Sequence, residues 1–172
     1  MNWKAAIAAT VLTTLVAQPA FAHVTLEVAE AAAGTTYKAV LRIPHGCAGE
    51  ATTSIRVKLP EGVFNAKPMP KPDWELTTRE GAFGKTYLSH GTEVTSGVVE
   101  ISWAGGQLPD AWYDEFVFRI AIDAELEPGA VLHFPVLQMC GSAEQAWIDT
   151  SGAEGADMPA PSLTIIEGDH SH

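Results

Sequence analysis

Ala20-Phe21-Ala22 is followed at once by His23. An A-x-A triplet behind a short apolar run is a site at which signal peptidase cuts. Lys4 supplies the basic start, and Ala5 to Val16 the apolar stretch, which is too short to span a bilayer and is interrupted by Thr10, Thr13 and Thr14. Cleavage after Ala22 leaves His23 as the first residue of the mature chain, with a free α-amine beside its own imidazole. One residue then offers two nitrogens to a single metal ion. With ordinary pKa values of about 7.7 to 8.0 for such an amine and about 6.5 for imidazole, few protons need be displaced at neutral pH. Donors of this kind suit copper(II) or nickel(II), and copper(II) is the stronger binder. On spacing alone the incidental reading of His23 is the stronger one, because a lone histidine is more often not a ligand.

The other residues able to do chemistry point less sharply. Cys47 and Cys140 are 93 residues apart, with no C-x-x-C pair to suggest a metal framework. A copper thiolate of the cupredoxin kind needs a histidine, and often a methionine, soon after its cysteine. Cys140 is followed instead by Gly141-Ser142-Ala143-Glu144. In an exported chain the pair is expected to form a disulfide. His45 sits in a Pro-His-Gly turn, His133 in a strand pattern and His90 in a surface loop. His170 and His172 lie in a polar tail that lacks the ordering a tight site requires. None of the five is placed in the primary site. No G-x-S-x-G or comparable signal of nucleophilic catalysis is present.

The elements that must position these residues read as strands. Tyr37, Ala39, Leu41 and Ile43 share one face, with Lys38 and Arg42 on the other. Ile55, Val57 and Leu59 alternate with Arg56 and Lys58, and Phe116, Phe118, Ile120 and Ile122 with Val117, Arg119 and Ala121. A period of two means strands with one buried face. Further strands are expected at Trp74 to Arg79, Lys85 to His90, Val98 to Trp103, Val131 to Met139, Gln145 to Asp149 and Ser162 to Ile166. Breakers fall at Pro44-His45-Gly46, Pro60-Glu61-Gly62, Gly105-Gly106, Pro109-Asp110 and Pro128-Gly129. Pro68, Pro70 and Pro72 make Lys67 to Asp73 a rigid surface loop. No window after the leader carries a helical stripe. Many short strands without alternating helices indicate an all-β fold, a single β-sandwich of the immunoglobulin-like or cupredoxin-like kind.

Composition sets the outer bounds. The chain has 172 residues, enough for one ordinary domain and little more. The organisation expected is a signal peptide over 1–22, a β-sandwich domain over 23–166 and a polar tail over 167–172. Ten Lys and Arg against 21 Asp and Glu give a net charge of -11. Loss of the leader removes Lys4 and no acid, making the mature chain one charge more negative. Nucleic acid is thereby an unsuitable partner, since phosphate binding needs clustered cations. An acidic balance suits solubility or cation binding without choosing between them. No later stretch is apolar enough for a membrane anchor.

Five segments follow one another along the chain: the leader, His23-Val24-Thr25-Leu26, Ile43-Pro44-His45-Gly46-Cys47, Asp114-Glu115-Phe116-Val117-Phe118, and Cys140 followed by Trp147-Ile148-Asp149. With them the sequence resembles the YcnI-like family of bacterial copper-binding proteins, from His23 to about Ile166. The resemblance implies an exported β-sandwich of cupredoxin-like appearance that holds copper(II) in a brace formed by a single histidine, the amine and ring nitrogen of the mature N-terminus. Carried over by residue, the brace is His23, the metal-binding glutamate Glu115, with Asp114 as the less favoured choice, and the tryptophan beside the metal Trp147. Many members carry a C-terminal membrane anchor. This sequence stops at a histidine-containing tail, so release into the periplasm is expected. The function implied is non-enzymatic copper trafficking, with other periplasmic copper-handling proteins as partners. The alternatives are an oxidative copper enzyme, which would need a second histidine in the metal plane, and an adhesion or assembly module in which His23 has no role.

Overall fold

In the computed structural model, residues 23–153 and 155–168 are described. Their strands in chain order are β1 (Thr25–Leu26), β2 (Glu30–Ala32), β3 (Thr36–Ile43), β4 (Thr52–Lys58), β5 (Val63–Pro68), β6 (Glu75–Ser89), β7 (Thr92–Leu108), β8 (Asp114–Ile122), β9 (Val131–His133), β10 (Val136–Cys140), β11 (Ala143–Trp147) and β12 (Ser162–Ile166). The expected leader at 1–22, and residues 169–172 of the expected tail, lie outside the described residues. Among the described residues there is no helix.

Two sheets face each other, one of four strands in the order β1-β3-β8-β5 and one of five in the order β11-β10-β4-β7-β6. Alternation builds the first. β3 and β8 run antiparallel with Ala39 opposite Phe118 and Leu41 opposite Phe116, so the apolar residues of both strands fall on one face and are buried together. Ile55 and Val57 of β4, Ile101 and Trp103 of β7, and Val136 of β10 close over them from the second sheet, each with no exposed surface. The Trp103 ring packs 5.4 Å from that of Phe116, and its N–H donates to the carbonyl of Met69 at 3.1 Å, so the core's largest side chain leaves no polar atom unpaired. A third, three-stranded sheet, β2-β12-β9, adds Leu163 and Ile165 to the core. The fold is an all-β, immunoglobulin-like sandwich.

Several sequence expectations are corrected in detail. The strand expected at Val131 to Met139 is two strands in different sheets, β9 pairing β12 and β10 pairing β4 and β11. The switch falls at Pro135, which has no N–H for a ladder. Its carbonyl still accepts from the amide of Lys58 at 2.9 Å. Trp74 to Arg79, Lys85 to His90 and Val98 to Trp103 are parts of one long hairpin, β6 and β7. It turns at His90-Gly91, both with positive φ, 51° and 81°, as a two-residue hairpin loop requires. Gly105-Gly106 does not end β7. A Cβ on Gly106 would lie 2.1 Å from the Trp74 ring, so the glycine lets that indole lie against the strand. The loop placed at Lys67 to Asp73 begins two residues later, because β5 runs to Pro68. That proline is tolerated because β5 is the edge strand of its sheet. The disulfide is formed as expected, joining Cys47 to Cys140 with Cα atoms 5.7 Å apart.

Candidate metal centre

Val24 and Leu26 are buried while Thr25 between them is exposed, so the first residues of the domain are pinned by their apolar members. β1 is an edge strand of the four-stranded sheet and β11 an edge strand of the five-stranded one. His23 lies where these two edges meet. Its ring is half-buried and stands 5.9 Å from that of Trp147, the last residue of β11, at a tilt of 59°. Trp147 is itself buried, and its N–H donates to Oε1 of Gln138 at 3.0 Å. Two of the three residues named for the site are thus in ring contact.

Glu115 is placed by register. Thr25 of β1 pairs with Arg42 of β3, and Arg42 pairs with Glu115 of β8. Neighbours in an antiparallel row point the same way, so the three form one line across the outer face, beginning two residues from His23. At the usual strand spacing Thr25 and Glu115 are about 10 Å apart. The hydroxyl of Tyr113 donates to Oε1 of Glu115, and Arg42 Nε lies 3.6 Å from the same oxygen. Arg42 also donates to Glu27 at 2.7 Å. The Tyr113 phenol is held above its ordinary pKa, chiefly because its proton is shared with the Glu115 carboxylate.

Asp114 has a different setting. It shares the strand parity of Phe116, accepts from Lys71 Nζ at 2.7 Å and takes the backbone N–H of Glu115 at 2.8 Å, all on Oδ1. The Lys71 ammonium in turn stands 5.1 Å over the Phe116 ring. Asp114 therefore closes the end of the core beneath a lysine, while Glu115 faces outward with Thr25 and Arg42. Among the remaining histidines, Nδ1 of His45 is 2.5 Å from the carbonyl of Gly46 and 3.9 Å from Asp110, His133 lies on β9 and His90 in the hairpin turn. His170 and His172 lie outside the described residues.

No group of three or more His, Cys, Asp or Glu side chains gathers around a common point among the described residues. A brace built on one histidine needs no such group, since its second nitrogen is a main-chain amine that exists only after the bond to Ala22 is cut. Imidazole at His23 and an outward carboxylate at Glu115, in the row that begins at Thr25, are donor types that copper(II) accepts. A cavity of about 740 Å3 opens elsewhere, beside Thr36, Tyr87, His90 and Arg119, and includes none of the three residues. Sequence reasoning missed Arg42, Tyr113 and Gln138. Only the β1-β3-β8 register and the β10-β11 pairing make them neighbours of the residues it named.

Residues 23–165 match the family described as a domain of unknown function, DUF1775. The chain belongs to this family. The match begins at His23, the residue that follows the leader motif. No curated protein matches the sequence. Among solved structures, an uncharacterized protein from Nocardia farcinica with an immunoglobulin-like fold is 26% identical, with a TM-score of 0.62 over 84% of this chain and 98% of that one. This likeness agrees with the sandwich described above. CaCohA2 from Clostridium acetobutylicum is 12% identical over 84% of this chain and 91% of its own, with a TM-score of 0.40, too slight to bear on function.

Proposed function

We propose that the mature protein is a periplasmic carrier of Cu(II), which it takes at its own N-terminus as cargo and does not use for catalysis. The observation that carries this reading is the position of His23. It follows directly on the A-x-A motif and is the first residue of the family match, and its ring stands against Trp147 where the two sheet edges meet. After cleavage His23 would supply the amine and the ring nitrogen, and Glu115, facing out from β8, the carboxylate oxygen. Trp147 would cover one side with an apolar ring and so limit access of water. The resemblance to YcnI-like copper proteins supports the same three residues. Asp114 suits the role less well because its Oδ1 is already paired with Lys71.

The test is a Cu(II) titration of correctly processed protein against two altered forms, one with a single residue added before His23 and one with its amine acetylated. The mature protein should bind one Cu(II) with a tetragonal, nitrogen-rich spectrum. Both altered forms should stay folded and lose tight binding, because the nitrogen of a protonated amide is a poor ligand. Equal affinity in the extended protein would refute the brace and move attention to the remaining histidines. Turnover of an oxidisable substrate by the copper-loaded mature protein would favour the enzyme reading instead.

A further inference from the structure

Gln138 is only 1% exposed, yet its amide is used at both ends. An indole N–H can only donate, so the amide atom 3.0 Å from Trp147 Nε1 is Oε1. A carbonyl can only accept, so the atom 2.9 Å from the His45 oxygen is Nε2. The same nitrogen donates to Oγ1 of Thr52 at 2.7 Å. Thr52 is fully buried. With its oxygen accepting from Gln138, its own proton is free for Sγ of Cys140 at 3.6 Å, and a disulfide sulfur has no hydrogen to offer in return. Every bond in this chain therefore has one direction. It runs from the indole beside His23, through Gln138, to the disulfide and to the His45 turn next to Cys47.

We propose that Gln138 is the positioning residue of the metal centre, fixing the Trp147 indole against the His23 ring and anchoring it to the turn held by the disulfide. This rests on the copper reading above for its metal half only. Trp147 ends an edge strand, where the ladder on its far side has no partner strand, so main-chain pairing alone leaves the ring's angle less constrained than in a central strand. Burial fixes where the indole can go, and the bond to Gln138 selects which way its N–H points. Residues that orient a metal's immediate neighbours commonly change affinity by tenfold to a hundredfold when lost.

The experiment uses mature protein carrying Gln138→Met, which keeps the side chain's length and removes the amide. In metal-free protein, the Trp147 indole N–H should exchange with solvent at least about tenfold faster than in wild type while the unfolding transition stays cooperative. Cu(II) titration should show affinity about tenfold weaker, and in a Trp147→Phe background the same Gln138→Met change should have no further effect on Cu(II) binding. Unchanged exchange at the Trp147 indole overturns the proposal. So does an equal loss of Cu(II) affinity in both backgrounds, since Gln138 would then act through the fold at large. Should Gln138→Met fail to fold, Gln138→Asn, one methylene too short to reach Trp147 while still bonded to His45 and Thr52, carries the same comparison. Failure of wild-type mature protein to bind Cu(II) would sink the copper reading, and the indole measurement would still decide whether Gln138 orients Trp147.

Discussion

Arg42 and Glu115 stand opposite each other across β3 and β8, with Arg42 Nε 3.6 Å from Oε1 of Glu115. The Tyr113 hydroxyl donates to the same oxygen, so both neighbours hold the carboxylate by one atom. Arg42 and Glu115 are each more than a third exposed, and ion pairs of that kind contribute about 0 to 1 kcal/mol. The arrangement therefore orients the carboxylate more than it stabilises the fold.

From this, Glu115→Gln should weaken Cu(II) binding by tenfold or more while lowering stability by no more than about 1 kcal/mol, because the amide keeps the size and removes the anionic donor. Asp114→Asn is the matched control. It loosens the Lys71 ion pair and should leave affinity within about twofold of wild type. Isothermal titration of the two variants separates them. A loss of affinity confined to Asp114→Asn would transfer the ligand role to Asp114.

Gly106 and Gly105 should respond differently to the same substitution. At Gly106→Ala the new methyl would meet the Trp74 ring, which already packs edge-on to Phe116 with centroids 4.9 Å apart, so overpacking should cost about 1 to 3 kcal/mol. Gly105 has open space but φ of 81°, so Gly105→Ala should cost about 1 kcal/mol from backbone strain alone. Denaturant midpoints measure both. Adding Trp74→Leu should relieve most of the Gly106→Ala penalty and none of that at Gly105. Equal penalties unaffected by Trp74→Leu would mean that the indole is not what Gly106 accommodates.

How much of this was legible in the residues depends on whether a feature is local. β3, β8 and β12 could be read directly because each has one buried face, and alternation reports that without knowledge of any partner. β1 and β2 are two and three residues long, too short for a period to show. Pro68 and Gly105-Gly106 were misread because their usual meaning as breakers was overridden by an edge position and by a neighbouring indole. For the candidate site, the cleavage motif draws attention to His23 without making it a ligand, and the resemblance to a copper-binding family adds Glu115 and Trp147. Gln138 sits two residues from Cys140, on the inward face it shares with that cysteine and Val136, so its burial could have been inferred. Its partners Trp147, Thr52 and His45 come from three other segments, and no local pattern joins them.

The disulfide closes a long loop, so its loss should be felt mainly through the unfolded chain. Replacing both cysteines by Ala is expected to cost about 2 to 4 kcal/mol, read as a lower denaturant midpoint. Protein made under oxidising conditions and never exposed to reductant should show no free thiol when denatured, since the chain's two cysteines are paired. Two reactive thiols in such material would contradict the bridge.

Tyr37 ties β3 to the segment just after β1, since its hydroxyl donates to the carbonyl of Val28. Burial, and secondarily the Glu27 carboxylate, push its pKa from 10.0 up to about 12. The unfolded chain releases this proton at lower pH than the folded one, so ionisation favours unfolding. The contribution is fully present below about pH 10 and is lost as pH rises through about 12. That displacement caps the effect at roughly 2 to 3 kcal/mol, and screening of the exposed Glu27 by solvent makes it smaller. Tyr37→Phe should therefore be less stable than wild type at neutral pH, by about 1 kcal/mol for the lost hydrogen bond. The difference should shrink as pH is raised from about 9 to about 12, because wild type has more to lose there. Urea unfolding of both proteins across that range is the measurement. Parallel loss of stability in the two would show that Tyr37 is not the group whose ionisation destabilises the fold over this range.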